Sequence, residues 1–483
     1  MWELIFLLLW GFSAAGTLLQ LFLGDKDADT RVFWMLWVLL VPIVGVLTYC
    51  IFGIHYRSER SRNRIHAASL SLFQKEMDPE QAAALFSDQA LETVPERFRP
   101  LARLLRSAGA GNRVSGDNSF EIITSGQRKR ELLLEDIRRA RHFIHIEYYR
   151  FGNDRSGREV RDLLLQKVAE GVEVRLLDNN LSSWKSIPRS YFRDMRKGGM
   201  EVRSYTTLRN GFRSWLMRIN FQNHRKVVIV DGEVAYTGGM NLNDNYFYKW
   251  RDTHLRIIGS AVARLQASFI DSWISAGGTL RQPLPYYFRT EFPAGDMPLR
   301  NKLLQVVTDA PEYPYPSTLL GYEWILQNAR DYVYIQTPYF LPPESFLHAL
   351  KSAALRGVDV RVMLPENVDT PAIGPANRSY YAECLAAGVR IFERSGEFIH
   401  SKTLVADDGV CIIGASNLDM RSFHINNEVN TFVYDRETAL LCKEIFLSDG
   451  QRIRERTLEE WRRSRTPAQE IASRWMRLLY REL

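Results

Sequence analysis

The order of apolar and polar positions divides the chain into three regimes. Trp2 to Leu23 is almost wholly apolar, and residues 33–54 carry no charge. Each run is about 22 residues, roughly 33 Å as helix, against a hydrocarbon core of about 30 Å. Neither run shows a polar face, so the pattern predicts two membrane spans within 1–56 rather than a buried soluble pair. A cleaved signal peptide would open on a basic leader, whereas this sequence opens Met1-Trp2-Glu3. Residues 57–115 read as a helical connector. Asp78-Pro79-Glu80 starts a helix, and Pro100 and the Ala-Gly alternation at 108–111 interrupt the segment.

From residue 120 onward strands alternate with helices. Alternating apolar positions predict strands over 120–124, 143–149 and 171–177, and helical spacing predicts helices over 128–141 and 160–169. The order then repeats, with helix 322–329, strand 332–336, helix 345–355 and strand 357–363. Gly171-Val172-Glu173-Val174-Arg175 and Gly357-Val358-Asp359-Val360-Arg361 mark an internal duplication. Alternation of this kind predicts an α/β fold, with helices on both faces of mixed or parallel sheets. A Pro-rich stretch at 283–298 separates the halves, giving domains at 116–290 and 291–455.

Two basic amphipathic stretches follow a different pattern. Residues 209–218 interleave Phe212, Trp215, Leu216 and Met217 with Arg209, Arg213 and Arg218. In the final segment, 456–483, Thr466-Pro467 caps a helix whose Ile471, Trp475, Leu478 and Leu479 share a face beside Arg474, Arg477 and Arg481. Both suit a membrane surface. Packing on the protein's own core is the competing expectation for the C-terminal helix.

Charge narrows the class of partner. The formal net charge of +7 favours an anion, either nucleic acid or an acidic membrane. The apolar runs favour the membrane, and no nucleic-acid partner is expected. Asp25, Asp27 and Asp29 lie between the runs, whereas Arg57, Arg60, Arg62 and Arg64 follow the second. Positive-inside bias therefore puts the body of the chain in the cytoplasm. Cys50, Cys384, Cys411 and Cys442 have no paired spacing and read as free thiols of a reducing compartment.

The chemistry lies in a motif written twice. His224-Arg225-Lys226 is followed by Asp231, and His400-Ser401-Lys402 by Asp407 at the same interval. Asn241 and Asn417 stand seventeen residues after their histidines, and Asp252 and Glu428 stand twenty-eight after. Residues i and i+2 of a strand share a face, so each histidine points the same way as its lysine. That pairing suits an anionic group, phosphate above all, better than a metal. Across a pseudo-twofold axis, two His-Lys-Asn sets would hold one phosphodiester. One histidine attacks phosphorus; the other protonates the leaving alkoxide and then serves as base. The lysines and asparagines stabilise the equatorial oxygens, so neither metal nor cofactor is required. Asp252 and Glu428 are expected to orient the histidine of their own half. Asp231 and Asp407 belong to the catalytic motif but begin turns, and are read as supporting it without touching phosphate. Tyr148, Tyr149 and Tyr339 end strands near the cleft edge and are read as packing residues.

The duplicated His-x-Lys-x4-Asp motif resembles that of the phospholipase D superfamily. The phrases running to Met240-Asn241, Thr337-Pro338-Tyr339-Phe340 and Asn417-Leu418-Asp419-Met420-Arg421-Ser422 resemble bacterial cardiolipin synthases in particular. The resemblance implies two tandem α-β-α sandwich domains related by pseudo-twofold symmetry behind two transmembrane helices. It implies a multi-pass enzyme of the bacterial inner membrane that joins two phosphatidylglycerol molecules into cardiolipin and releases glycerol. It also implies His224 as nucleophile and His400 as acid/base; the residues alone leave that assignment open. Gly239 and Ala415 depart from the family, where Ser or Thr often stands. Three rivals use or lose the same residues: a hydrolase releasing phosphatidic acid, a membrane-tethered nuclease, and an inactive membrane scaffold.

Overall fold

A computed structural model describes residues 2–23, 28–50, 76–85, 87–109, 111–179, 187–205, 221–292, 297–370, 373–450 and 453–482. The arginine cluster at 57–64, Asp25, Asp27 and the basic stretch 209–218 fall outside these.

One mixed sheet of 15 strands runs through both halves. From one edge the first half contributes Glu201–Ser204, Glu173–Asp178, Phe143–Tyr148, Lys226–Val230, Val234–Gly238, His254–Ile258 and Val114–Ile123. The second continues in reverse with Leu299–Asp309, Glu428–Val433, Val410–Gly414, Thr403–Ala406, Tyr332–Gln336, Asp359–Pro365 and Arg390–Arg394, closed by Ile453–Arg456. The order is a palindrome about the antiparallel pairing of Val114–Ile123 with Leu299–Asp309. This is the expected α/β class, but the halves share one sheet instead of carrying two. The apolar pattern caught only the end of Val114–Ile123, as the strand expected over 120–124, and missed Leu299–Asp309, because Gly116, Asp117, Asn118, Asn301 and Lys302 interrupt it.

Helices cover both faces, which explains why strands such as Lys226–Val230 and Val410–Gly414 are buried along their length. On one face Ala261–Ser275 and Arg436–Asp449 lie over a single apolar core that crosses the halves. Val227, Ile229 and Ile257 share it with Val405, Ile413 and Val433. On the other face each half has its own core, under Gly126–Arg139 and Arg155–Ala169 or under Ser317–Asn328 and Glu344–Leu355.

Trp2–Leu23 forms a 22-residue helix. The second apolar run is not one helix, contrary to expectation. Ala28–Leu40 stops at Val41, Pro42–Thr48 starts anew, and Trp37 Nε1 donates to Thr48 Oγ1 at 2.9 Å. Eleven residues of continuous helix would separate that pair by roughly 16 Å, so the run folds back on itself. Among the described residues no helix is long and apolar enough to cross a membrane. The C-terminal helix Pro467–Glu482 docks through its polar edge. Ser473 is buried and Arg477 lies on the Tyr380 ring and pairs with Glu383, while Ile471 and Trp475 face outward.

Candidate active site

Lys226–Val230 and Thr403–Ala406 occupy equivalent central positions, each preceded by its histidine and followed by a hairpin. The first turn is Asp231-Gly232 at φ +54 and +70, and the second is Asp407-Asp408 at φ +49 and +50. Both match the positive-φ pair that a tight hairpin needs. Asp231 Oδ1 and Oδ2 accept from the backbone N–H groups of Arg141, His142 and Phe143 at 2.7–2.8 Å. Asp407 accepts in the same way from Arg330, Asp331 and Tyr332 at 2.8–2.9 Å, and Arg97 adds an ion pair. The motif aspartates therefore tie the far ends of two strands together, roughly 20 Å along the strand from the histidines. They do not reach the reacting centre, and counting them among the catalytic residues is corrected accordingly.

The histidines converge. His224, His400, Asn241 and Asn417 all line one cavity of about 290 Å³. Two short parallel pairings across the halves bring this about. Phe398–Ile399 runs beside Trp250–Arg251, and Asn223 bridges to Asn427. One residue further along each register sits a histidine beside an acid. His400 Nδ1 is 2.7 Å from Asp252 Oδ2, and His224 Nδ1 is 2.8 Å from Glu428 Oε1. The acids are thus exchanged: each orients the histidine of the opposite half, not its own. The backbone repeats the crossing, with His400 N donating to Arg251 O at 2.7 Å and His224 N to Asn427 O at 2.9 Å.

A carboxylate at Nδ1 holds the proton there and leaves Nε2 as the nitrogen available to a ligand. Burial pushes both imidazoles down. His224 falls to about 4, with Glu428 opposing and Lys226 reinforcing the shift; His400 falls to about 4, with Lys402 reinforcing and Asp252 opposing. Burial lowers Lys402 to about 8 against the pull of Asp252 and Glu428. Lys226 is driven well below the usual lysine range, again chiefly by burial. Burial favours the acid form of Asp252 and Glu428, yet the adjoining Lys402 and His224 outweigh it and hold both low. Four buried basic groups converge on one cavity, where a bound anion would favour the charged form of each.

Lys226 Nζ donates to His224 O at 2.6 Å, and Lys402 Nζ to His400 O. Asn241 Oδ1 accepts from Arg150 N at 3.2 Å; Asn417 Oδ1 is buried without a hydrogen-bond partner among the described residues. A side chain at Gly239 would put its Cβ 2.1 Å from Asp252 Oδ1. The space a Ser or Thr hydroxyl would take there is already filled by the carboxylate that serves His400.

Tyr149 and Tyr339 do more than pack the cleft edge. Tyr149 meets His224 edge to face at 4.7 Å, Tyr339 meets His400 at 6.4 Å, and both line the cavity. Tyr148 is the packing residue expected, accepting from buried Lys129 at 3.1 Å. Tyr246, Trp250, Asp369 and Arg421 also line the cavity and carried no duplicated spacing to reveal them. Tyr246 Oη approaches His400 Nε2 at 3.5 Å, and the Trp250 ring tilts over His400 at 5.4 Å.

Comparison with known proteins agrees with this geometry. The family model described as "Cardiolipin synthase, PLD-like domain" matches residues 133–273 and 323–449. The major cardiolipin synthase of Bacillus subtilis (strain 168) is 34% identical over 457 residues, covering 92% of this chain and 92% of that protein. A cardiolipin synthase of Geobacillus sp. (strain WCH70) is 36% identical over 437 residues, covering 88% and 83%. In shape, the crystal structure of phosphatidylserine synthase from Haemophilus influenzae Rd KW20 matches with a TM-score of 0.60. It is 14% identical and covers 80% of this chain and 100% of that one, a likeness that speaks for the fold alone. With both halves matched and full-length relatives above 30% identity, the chain belongs to the cardiolipin synthase family of phospholipase D-like proteins.

Proposed function

We propose that the protein is a membrane-bound phosphatidyltransferase that makes cardiolipin and glycerol from two phosphatidylglycerol molecules. The observation that carries this reading is the pair of crossed histidine–carboxylate contacts opening on one anion-seeking cavity. In this reading His224 Nε2 attacks phosphorus of the first lipid. The bond to the glycerol oxygen breaks, and His400, whose protonated form the bound phosphodiester anion favours, delivers the proton that glycerol carries away. A phosphatidyl group remains on His224. His400, now neutral, takes the proton from a hydroxyl of the second lipid's glycerol headgroup. That oxygen attacks phosphorus, the P–N bond breaks, and cardiolipin leaves. Lys226, Lys402, Asn241 and Asn417 serve the equatorial oxygens, whose charge is greatest as the bonds exchange.

Membrane attachment through the N-terminal segment belongs to the same proposal, at the bacterial inner membrane with the body of the chain on the cytoplasmic side. It is supported by the apolar Trp2–Leu23 helix and by exposed Phe12, Leu19, Leu23, Leu36 and Leu40 on the helices that follow one another there. Anionic lipid headgroups suit the net charge of +7.

The test is a product assay. Purified protein incubated with phosphatidylglycerol vesicles should yield cardiolipin and glycerol by mass spectrometry. Phosphatidic acid as the main product would make water the acceptor and contradict the proposal, as would the absence of any lipid product.

A further inference from the structure

A site that must hold a phosphodiester has little use for a carboxylate at its mouth, yet Asp369 lines the cavity. The other acid in the lining, Asp419, is accounted for by capping the helix Met420–His424, where it accepts from Ser422 N at 2.7 Å. Asp369 is held instead by Tyr339, whose Oη donates to Asp369 Oδ1 at 2.5 Å. The Tyr339 ring stands edge-on to His400, its centroid 6.4 Å away at 89°. Tyr339 thus links the carboxylate to the histidine that, in the proposed reaction, gives a proton to one alcohol and takes it from the next. In-line displacement from His224 puts both alcohols on the His400 side of phosphorus.

We infer that Asp369, held by Tyr339, reads the glycerol headgroup, accepting hydrogen bonds from hydroxyls that do not react. A carboxylate is an acceptor only, so it recognises donors and rejects a bare alkyl group. An ammonium headgroup is also a donor, but two arginines (Arg150 and Arg421), two buried lysines and two histidines already surround the cavity. Of the groups lining the cavity itself, Asp369 and Asp419 already face Arg150 and Arg421, which leaves the pocket better matched to a neutral polyol than to a further cation. The inference rests on the phosphatidyltransfer reading and adds the origin of alcohol selectivity to it.

The test separates the two claims. Wild type, Asp369→Ala, Asp369→Asn and Tyr339→Phe are given phosphatidylglycerol in mixed micelles with isotope-labelled glycerol and 1-propanol as competing acceptors. Labelled phosphatidylglycerol and phosphatidylpropanol are then counted. Wild type should prefer glycerol. Asp369→Ala should reduce the glycerol-to-propanol ratio by about tenfold, the size of one hydrogen bond to a charged group, through a higher glycerol KM. Transfer to propanol should persist, which reports an intact His224–His400 centre. Tyr339→Phe should move the ratio in the same direction by less. An unchanged ratio, or equal loss in both arms, would overturn the inference and leave phosphatidyltransfer standing. Failure of wild type to transfer to either alcohol would overturn the reading beneath it.

Discussion

His400 Nδ1 lies 2.7 Å from Asp252 Oδ2, although 148 positions and the boundary between the repeats separate them. Glu428 stands in the same relation to His224, 204 positions away. Neither half therefore owns a complete histidine–carboxylate pair. This interdependence gives a physical reason for the halves to share one sheet, because sub-ångström placement of each pair needs a rigid frame.

The crossing predicts which defects travel together. Asp252→Asn should remove the tautomer control of His400, and Glu428→Gln that of His224. Each should lower kcat by about 10²-fold or more with fold retained, as for a buried triad carboxylate. Proton NMR distinguishes the pairing. The low-field Nδ1–H resonance of His400 should vanish in Asp252→Asn and persist in Glu428→Gln. The opposite pattern would restore acids to the histidines of their own half.

The motif aspartates should behave differently. Asp407→Ala leaves the N–H groups of Arg330, Asp331 and Tyr332 without their acceptor and removes the partner of Arg97. We expect a loss of about 1–3 kcal/mol in stability, with activity per folded molecule within a fewfold of wild type. Thermal melts beside active-site titration check this. Loss of turnover with an unchanged melting temperature would contradict it.

Lys402 sets an alkaline limit. Burial brings its ammonium down to about 8, so its charge is present below that pH and lost above it. The kcat/KM profile, which reports the free enzyme, should fall above about pH 8. Lys402→Arg, although slower, should lack that limb because guanidinium stays charged. A wild-type profile that remains flat well above this value would count against the assignment.

Buried imidazoles should make the fold acid-sensitive. His145, His224 and His400 are each pushed down to about 4, chiefly by burial. Their folded values lie below the unfolded value near 6.5, so between the two the unfolded chain binds more protons. Stability is present above that window and lost as pH falls through it towards about 4. Melting temperature should therefore drop between neutral pH and about pH 5, and His145→Gln should make the slope shallower. A slope unchanged by His145→Gln would place the sensitivity elsewhere.

Much of the site could be read from spacing because its parts repeat locally. His224 and Lys226 share a strand face, the Asp231-Gly232 turn has a recognisable composition, and Asn241 and Asn417 keep their interval. The acids were legible as participants but not as partners. Twenty-eight residues separate acid from histidine in both halves, and that interval fits own-half and crossed pairing equally well. What decides is the contact of Phe398–Ile399 with Trp250–Arg251, two residues long and too short for any periodicity to announce. Polar interruptions hid the central strand Leu299–Asp309, and with it the continuity of the sheet. Tyr246 and Trp250 sit where the second half carries Ser422 and Asn426 at the same interval, so no repeated residue flagged them, and Asp369 belongs to neither copy of the motif. Val41-Pro42 broke a run whose hydropathy alone suggested one span.

The central claim is that two histidines serve one phosphorus. It is tested most directly by cardiolipin formation from phosphatidylglycerol in His224→Ala and His400→Ala, each verified as folded by its melting temperature. A single composite site predicts that either substitution removes essentially all turnover. If each variant instead kept about half of the wild-type rate, the repeats would be acting as independent centres and the account would be wrong.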